Sequence, residues 1–207
     1  MTGAVIVVGF GVTGQAVSRY LRSEGIPVTV VDDDPTPATD ERASALGVAV
    51  IRAPTPARLA DLIAGSSLVV PSPGVPVSHP VYRAAAQAGV PIRSEIELAW
   101  RRLHGPDRPA GGRPPKMVAI TGTNGKTTVT TLVAAMITAS GGRAIAAGNI
   151  GLPLVDAVGR PADVVVAEVS SFQLQFTEAF RPEVSCWLNL AEDHLDWHPT
   201  LAHYAAA

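Results

Sequence analysis

Residues 117–128 read M-V-A-I-T-G-T-N-G-K-T-T, and this stretch decides how the second half of the chain folds. Residues 117–121 are apolar or β-branched and predict a buried strand. A helical pattern follows the glycines over residues 127–139 and ends at Ser140 and Gly141. A strand, a glycine turn and a helix in this order are typical of a βα unit in a parallel sheet.

The glycine turn between this strand and helix predicts a phosphate-binding loop. Glycine lets backbone N–H groups face an anion, and the N-terminus of the helix adds partial positive charge. Lys126 is placed to reach the β and γ phosphates of a nucleotide, and Thr127 is placed to ligate Mg²⁺. The predicted ATP-binding residues are Gly122, Thr123, Asn124, Gly125, Lys126, Thr127 and Thr128.

The loop has the short G-x-x-G-K-T form, because Ile120 stands where the commoner G-x-x-x-x-G-K-[ST] loop begins with glycine. The alternative interpretation is a glycine-rich turn with an exposed lysine. The strand, the helix and the hydroxyl pair at Thr127 and Thr128 together favour the phosphate loop.

Outward from this unit, residues 105–116 form a segment rich in Pro, Gly and Arg that predicts a domain linker. We therefore expect a first domain over residues 1–104 and a second domain over residues 117–207. Strand and helix signals alternate in both. The predicted strands are residues 4–8, 28–31, 48–51, 68–70, 117–121, 144–147, 164–169 and 184–190. The predicted helices are residues 13–24, 40–46, 80–88, 95–103 and 127–139.

This alternation predicts the α/β class, with a Rossmann-like parallel sheet in the first domain and a P-loop ATPase-type α/β domain after it. In the first domain, residues 9–14 read G-F-G-V-T-G after a strand and before a helix, and acidic residues 32–34 end the next strand. The pattern fits a pyrophosphate on the helix N-terminus, and it leaves NAD and another nucleotide diphosphate equally open.

A second turn, Pro71-Ser72-Pro73-Gly74, follows another predicted strand of the same sheet. Ligands of open α/β sheets lie at this end of the strands, although a plain Pro-rich turn is the alternative.

Acidic residues follow two strands of the second half. Glu168 ends an apolar run near the phosphate loop, which favours a Mg²⁺ ligand over a salt-bridged or capping glutamate. Residues 189–196 read N-L-A-E-D-H-L-D, where His194 is either a metal ligand or part of a polar loop. The other histidines, His79, His104, His198 and His203, are interpreted as surface residues.

Composition excludes several classes of protein. The 207 residues carry 16 basic and 18 acidic side chains, a balance that argues against a nucleic-acid partner. A single cysteine, Cys186, excludes a disulfide framework within the chain and fits a reducing cytoplasm. Residues 4–8 lead straight into a glycine turn, so we expect a strand there and neither a signal peptide nor a membrane span.

Taken together, these motifs resemble the Mur ligase family. The resemblance rests on G-F-G-V-T-G at 9–14, S-P-G-V-P at 72–76, G-T-N-G-K-T-T at 122–128, G-N-I-G-L-P at 148–153, E-V-S-S-F-Q-L at 168–174 and N-L-A-E-D-H-L-D at 189–196. The E-V-S-S-F-Q-L run points to the D-glutamate-adding member of the family. The family has three domains, which hold the UDP-sugar, ATP, and ATP with the incoming amino acid.

From the resemblance we expect the second domain to be cut short and the third to be absent. A carbamylated lysine of the family's second metal site would also be missing. The chain by itself is therefore expected to be inactive.

The resemblance also implies a reaction and roles for residues. The carboxylate of UDP-N-acetylmuramoyl-L-alanine would take the γ-phosphate of ATP, and D-glutamate would displace phosphate from the resulting acyl phosphate. Lys126, Glu168 and His194 are the expected catalytic residues, and Thr127, Glu168 and His194 the expected Mg²⁺ ligands. The expected precursor-binding residues are Val12, Thr13, Gly14, Asp33, Ser72, Pro73, Gly74, Asn149, Ser170 and Ser171. The expected cofactors are ATP and Mg²⁺, and the expected state is a cytoplasmic monomer.

Three interpretations remain open at this point. The first is the ligase, either the D-glutamate-adding enzyme or another member of the family. The second is an NAD-dependent oxidoreductase built on G-F-G-V-T-G, which leaves the phosphate loop and the His194 segment unexplained. The third is a non-catalytic fragment that binds the UDP-precursor.

Overall fold

A computed structural model describes residues 3–109 and 113–207. The chain divides into two compact units, residues 1–95 and 96–207, and each contains one four-stranded sheet. Every strand pair in both sheets is parallel, which confirms the predicted α/β class. Residues 110–112 of the predicted linker lie outside the described residues. No helix in the described ranges has the length and apolar character needed to cross a membrane.

The first unit has four strands and four helices. Its strands are β1 (Val5–Val8), β2 (Val28–Asp32), β3 (Ala49–Arg52) and β4 (Leu68–Pro71), and its helices are α1 (Val12–Ser23), α2 (Pro37–Leu46), α3 (Pro56–Ala64) and α4 (Pro80–Ala88). The strand order is β3-β2-β1-β4, so the chain runs outward from β1 through β2 to β3 and then crosses back to place β4 on the other side of β1. Such a reversal opens a crevice at the carboxyl ends of β1 and β4, where ligands of open α/β sheets bind.

The core of this unit explains why its strands are almost wholly apolar. Ile6 and Val8 of β1 pack in one buried cluster with Leu59 and Ile63 of α3. The intervening β1 residues point to the opposite face of the sheet and are also fully buried. A parallel sheet covered on both faces requires this continuous apolar pattern.

The second unit follows a similar plan. Its strands are β5 (Lys116–Thr121), β6 (Ala144–Gly148), β7 (Val164–Glu168) and β8 (Val184–Trp187). Its helices are α5 (Glu95–Leu103), α6 (Lys126–Ala139), α7 (Ser171–Leu174) and α8 (Leu201–Ala206), with a short 3₁₀ helix at Leu154–Ala157. The order β6-β7-β5-β8 places the carboxyl ends of β7, β5 and β8 side by side.

One helix of the first unit was not predicted. Helix α3 begins after Thr55, whose hydroxyl accepts a hydrogen bond from the backbone N–H of Arg58, and Pro56 occupies its first turn. Leu59 and Ile63 lie one turn apart and are buried. A capping threonine, a proline in the first turn and apolar residues four apart are the signals that identify this helix.

The predicted end of the first domain, at residue 104, differs from the observed division at residue 95. Helix α5 belongs with the second unit because its Glu97 is fully buried there. The Glu97 carboxylate accepts hydrogen bonds of 2.9–3.1 Å from the backbone N–H groups of residues 178–180. The hydrogen bonds from these three amides to Glu97 attach helix α5 to the loop at residues 178–180.

Candidate functional site

The predicted phosphate loop lies between β5 and α6. The first backbone hydrogen bond of the helix runs from Val129 N–H to Gly125 C=O, at 3.0 Å. Within the described part of the chain, the backbone N–H groups of residues 126–128 have no hydrogen-bond acceptor. Gly122 and Gly125 have φ angles of 139° and 84°, which residues with a side chain rarely adopt. The loop therefore ends in a turn of free amides at a helix N-terminus, an arrangement that attracts anions.

Lys126 lies across this loop. Its Nζ donates hydrogen bonds of 2.7 Å to the carbonyl of Gly122 and 3.0 Å to the carbonyl of Thr123. The ammonium group is thus held at the mouth of the loop by two neutral acceptors, and no carboxylate of the described residues neutralises it. The alternative of a lysine extended into solvent is not what the structure shows.

A carboxylate stands beside the loop at the end of β7. Glu168 is 2% exposed, and its Oε2 accepts a hydrogen bond of 2.7 Å from Thr127 Oγ1. Its Oε1 accepts one of 2.9 Å from Asn149 Nδ2. In the described ranges Glu168 has no cationic partner, so the salt-bridged alternative does not apply. Buried carboxylates in proteins are usually paired or coordinate metals, so a buried carboxylate with only neutral donors is a candidate cation ligand.

The geometry of Thr127 and Glu168 fits Mg²⁺. Two adjacent oxygens of an octahedral Mg²⁺ shell are about 3.0 Å apart, given Mg–O distances of about 2.1 Å. The observed separation of 2.7 Å needs only a small opening. No group of three or more His, Cys, Asp or Glu side chains in the described residues could hold a metal by itself. Mg²⁺ would thus take its other ligands from phosphate oxygens and water, as is usual for this ion.

His194 is the third predicted metal ligand, and no described contact joins it to Thr127 or Glu168. Its backbone has a φ angle of 53°, and its ring packs on Phe172 with centroids 4.7 Å apart. Its Nε2 lies 3.6 Å from Oδ2 of Asp193. The structure therefore brings together two of the three predicted ligands and places His194 in an aromatic cluster.

The predicted precursor-binding serines follow Glu168. Ser170 caps α7, in a reciprocal arrangement with Gln173. The hydroxyl of Ser171 lies 2.9 Å from Nε2 of His198, and Nδ1 of His198 lies 3.0 Å from Nδ1 of His203. Both serines are buried. Asn149 lies near the same end of β7, because its side chain donates a hydrogen bond to Glu168. The three residues are therefore neighbours of the phosphate loop within the second unit.

The interpretation of the other histidines as surface residues was wrong for three of the four. His198 is completely buried, and burial, followed by the nearby His203 and His194, lowers the pKa of its imidazole. The side chains of His79 and His104 are each only 8% exposed. The ring of His104 stacks on Trp100. His79 and His198 contact residues from distant segments, His104 packs on the last turn of α5, and only His203 of the four is exposed.

The glycine loop of the first unit also presents free amides. Gly9 has a φ angle of 80°, and a Cβ on Gly14 would lie 2.0 Å from the carbonyl oxygen of Gly9. Helix α1 can therefore approach the loop only because residue 14 is glycine. Within the described ranges, the N–H groups of Val12, Thr13 and Gly14 have no acceptor. The side chain of Val12 is 69% exposed beside them.

The second predicted turn of the first unit lies against this loop. Ser72 Oγ donates a hydrogen bond of 3.0 Å to the carbonyl of Gly9, as expected for neighbouring strand ends. Pro73 and Gly74 follow it in the same turn. The predicted ligand-binding residues 12–14 and 72–74 thus follow the adjacent strands β1 and β4 at their carboxyl ends.

Acidic residues at the end of β2 have distinct roles. Asp32, not predicted as a site residue, accepts a hydrogen bond of 2.8 Å from the backbone N–H of Phe10 within the glycine loop. Asp33, which was predicted, has its Oδ2 3.0 Å from Nε2 of His79. Because His79 Nδ1 accepts from Val81 N–H at 3.1 Å, the neutral ring carries its proton on Nε2 and donates it to Asp33.

Two domain families of the Mur ligases together match most of the chain. The Mur ligase MurD-like N-terminal domain matches residues 3–94, and the Mur ligase middle domain matches residues 120–207. These ranges contain the glycine loop and the phosphate loop, respectively.

Curated relatives carry the name of one member of this family. The UDP-N-acetylmuramoylalanine–D-glutamate ligase of Mycolicibacterium vanbaalenii is 46% identical over 203 residues, which are 98% of this chain and 40% of that protein. The enzyme of the same name from Mycobacterium tuberculosis is 44% identical over 207 residues, which cover 98% of this chain and 39% of that protein. The chain therefore spans about 40% of the length of the curated relatives it matches.

Solved structures share the fold. A UDP-N-acetylmuramate:L-alanyl-gamma-D-glutamyl-meso-diaminopimelate ligase from Neisseria meningitidis has a TM-score of 0.59 at 19% identity, with 100% of this chain and 66% of that chain covered. A UDP-N-acetylmuramate-alanine ligase from Thermotoga maritima has a TM-score of 0.54 at 24% identity, with 98% and 45% covered. The chain belongs to the Mur ligase family and matches its N-terminal and middle domains.

Proposed function

We propose that this chain is the UDP-precursor-binding and ATP-binding part of a ligase that joins D-glutamate to UDP-N-acetylmuramoyl-L-alanine. Members of the Mur ligase family are ATP-dependent ligases, and the similar curated proteins are named for this reaction. The observation that carries the proposal is the contact between Thr127 and buried Glu168 beside a loop of free amides. That combination serves phosphoryl transfer and has no use in hydride transfer.

The second unit would bind ATP and Mg²⁺. ATP would supply the phosphoryl group that activates the precursor's carboxylate as an acyl phosphate. The amides of residues 126–128 and the ammonium group of Lys126 would hold the phosphates and neutralise their charge. Thr127 and Glu168 would hold the metal, and Asn149 would orient the Glu168 carboxylate. Positioning and charge neutralisation of this kind supply most of the catalysis in phosphoryl transfer.

Further residues of this unit are proposed to serve the reacting end of the precursor. Ser170 and Ser171 follow Glu168 after one intervening residue, Val169, so both serines begin at the strand end that carries the proposed metal ligand. His194 is proposed to help with a second metal ion from its place in the aromatic cluster, as the resemblance implies.

The first unit would bind the UDP part of the precursor. The amides of residues 12–14 are proposed to hold the pyrophosphate, and residues 72–74 to border it. Asp33 remains a candidate for a ribose or uracil contact, with His79 supporting its carboxylate. We also propose that the protein works as a cytoplasmic monomer, where ATP and a reducing environment are available.

Two titrations test the proposal on the 207-residue chain. Isothermal titration with UDP-N-acetylmuramoyl-L-alanine and with NAD distinguishes the ligase from the oxidoreductase. We expect binding of the UDP ligand and no measurable heat with NAD. A parallel titration with ATP and Mg²⁺ should give a second site that is independent of the first. NAD binding without a response to the UDP ligand would contradict the proposal.

A further inference from the structure

The side chain of Asn189 forms a two-bond clamp on the backbone of the phosphate loop. Its Oδ1 accepts a hydrogen bond of 2.9 Å from Asn124 N–H, and its Nδ2 donates one of 3.0 Å to Asn124 C=O. Only one orientation of the amide satisfies both bonds, so the pair defines which way the side chain points. Asn189 lies 65 residues from Asn124 and follows the end of β8.

The neighbouring contacts place the whole segment after β8 against the start of the loop. The carbonyl of Asn189 accepts a hydrogen bond of 3.2 Å from Thr123 N–H, and Ala191 N–H donates one of 3.0 Å to Thr123 Oγ1. A Cβ on Gly122 would lie 3.1 Å from the backbone nitrogen of Asn189. Residues 122–124 are therefore bound on the β8 side, and the amides of residues 126–128 take no part in these contacts.

We propose that Asn189 is a positioning residue that holds the phosphate loop in its anion-binding conformation without touching the nucleotide. The inference rests on the proposed binding of ATP at this loop. Residues 122–125 contain two glycines at positive φ, so an unclamped loop would sample many backbone conformations. Asn189 restricts the peptide groups of Asn124, and this removes part of the entropy that phosphate binding would otherwise cost.

Removal of the clamp should leave the protein folded. Asn189 and Asn124 are both exposed, so the groups that lose a partner gain water. Asn189→Ala should therefore leave the melting temperature nearly unchanged and act on the loop alone. Asn189→Asp provides a second variant of the same shape, which keeps the acceptor for Asn124 N–H and turns the donor into a group that repels Asn124 C=O.

The test measures binding of ATP with Mg²⁺, and of inorganic tripolyphosphate, to the intact 207-residue chain by titration calorimetry. We expect both variants to bind each ligand roughly tenfold more weakly than wild type, a change equivalent to about 1.4 kcal/mol. Binding of UDP-N-acetylmuramoyl-L-alanine should stay unchanged. Glu192→Gln is the matched control, because Glu192 is exposed in the same segment. This substitution should leave the affinities for all three ligands unchanged.

Amide hydrogen exchange supplies a readout that does not depend on affinity. In the ligand-free wild type, the amides of Thr123 and Asn124 should exchange slowly and those of residues 126–128 quickly. Asn189→Ala should release the Asn124 amide, and Asn189→Asp should keep it protected. Wild-type affinity for ATP in both variants, with the Asn124 amide released in the alanine variant, would overturn the role of Asn189. A wild-type chain that binds neither ATP nor tripolyphosphate would instead overturn the proposed function.

Discussion

Thr127 Oγ1 donates a hydrogen bond of 2.7 Å to Oε2 of Glu168, which joins the first turn of α6 to the end of β7. The contact links a hydroxyl at the head of the phosphate loop to a carboxylate that is 2% exposed. A buried carboxylate needs hydrogen-bond partners, and those of Glu168 are the neutral side chains of Thr127 and Asn149.

Replacement of the Glu168 carboxylate should make nucleotide binding less sensitive to Mg²⁺. Glu168→Gln keeps the shape and the bond from Thr127 but loses the negative charge that a cation needs. We expect Mg²⁺ to bind the ATP complex more weakly, by at least the roughly 10- to 100-fold that loss of an outer-shell partner of a metal ligand costs. Titration of ATP with and without Mg²⁺ measures this, with Glu192→Gln as the charge-matched control. An undiminished effect of Mg²⁺ would exclude Glu168 as a ligand.

Removal of the Lys126 amine should weaken ATP binding and spare the first unit. Lys126→Ala deletes a charge-assisted contact worth about 1.5–3 kcal/mol, or roughly 10- to 150-fold in affinity. The affinity for UDP-N-acetylmuramoyl-L-alanine should stay within error of wild type, because its predicted UDP contacts lie in the other compact unit. Calorimetry with both ligands on one sample checks this. An equal loss for the two ligands would show that Lys126 supports the fold and does not bind phosphate.

Substitution by alanine should destabilise the first unit at Gly14 and leave it nearly unchanged at Gly11. Gly14→Ala places a Cβ 2.0 Å from the carbonyl oxygen of Gly9, so the helix must move away from the loop. Gly11→Ala meets nothing within 4 Å and has an ordinary φ angle of −68°. We expect Gly14→Ala to lower the free energy of unfolding by about 1–3 kcal/mol or more, and Gly11→Ala to leave it nearly unchanged. Urea denaturation of both variants measures the difference, and similar losses would contradict the close approach.

The buried His198 should make the second unit sensitive to mild acid. Its pKa lies below the ordinary imidazole value of 6.5 because burial disfavours the cation. The unfolded chain therefore binds this proton more readily than the folded protein, so stability is greatest above pH 6.5 and falls as the pH drops below it. His198→Gln should reduce the dependence of stability on pH below pH 6.5. His203→Gln, at an exposed position, should reduce it less. Denaturation between pH 5 and pH 8 checks the slope, which would stay unchanged in both variants if His198 were not responsible.

Local sequence patterns predict most of the secondary structure and both loops. The strands are short apolar runs, and the loops at residues 9–14 and 122–128 lie between a strand and a helix, so their geometry follows from neighbouring residues. Helix α3 was missed, although Thr55 and Pro56 mark its start. Strand β8 ends at Trp187, not at residue 190, because the next backbone groups turn to bind the phosphate loop.

The supporting residues of the site were beyond local analysis. Asn189 contacts Asn124 across 65 residues, and Asp32 contacts Phe10 across 22. His198 looked like a surface residue next to Pro199, yet Ser171, from 27 residues earlier in the chain, binds its ring. Such contacts depend on which strands are adjacent, and the order β6-β7-β5-β8 does not follow from any single segment.

The most direct test of the ligase proposal is turnover in the longest native form of the protein that contains this chain. ADP and phosphate release should require UDP-N-acetylmuramoyl-L-alanine, D-glutamate and Mg²⁺ together, and the product should contain one new amide bond to D-glutamate. Lys126→Ala should abolish the release of phosphate, and L-glutamate should not replace D-glutamate. Phosphate release that is indifferent to D-glutamate, or an amide formed with another amino acid, would contradict the account.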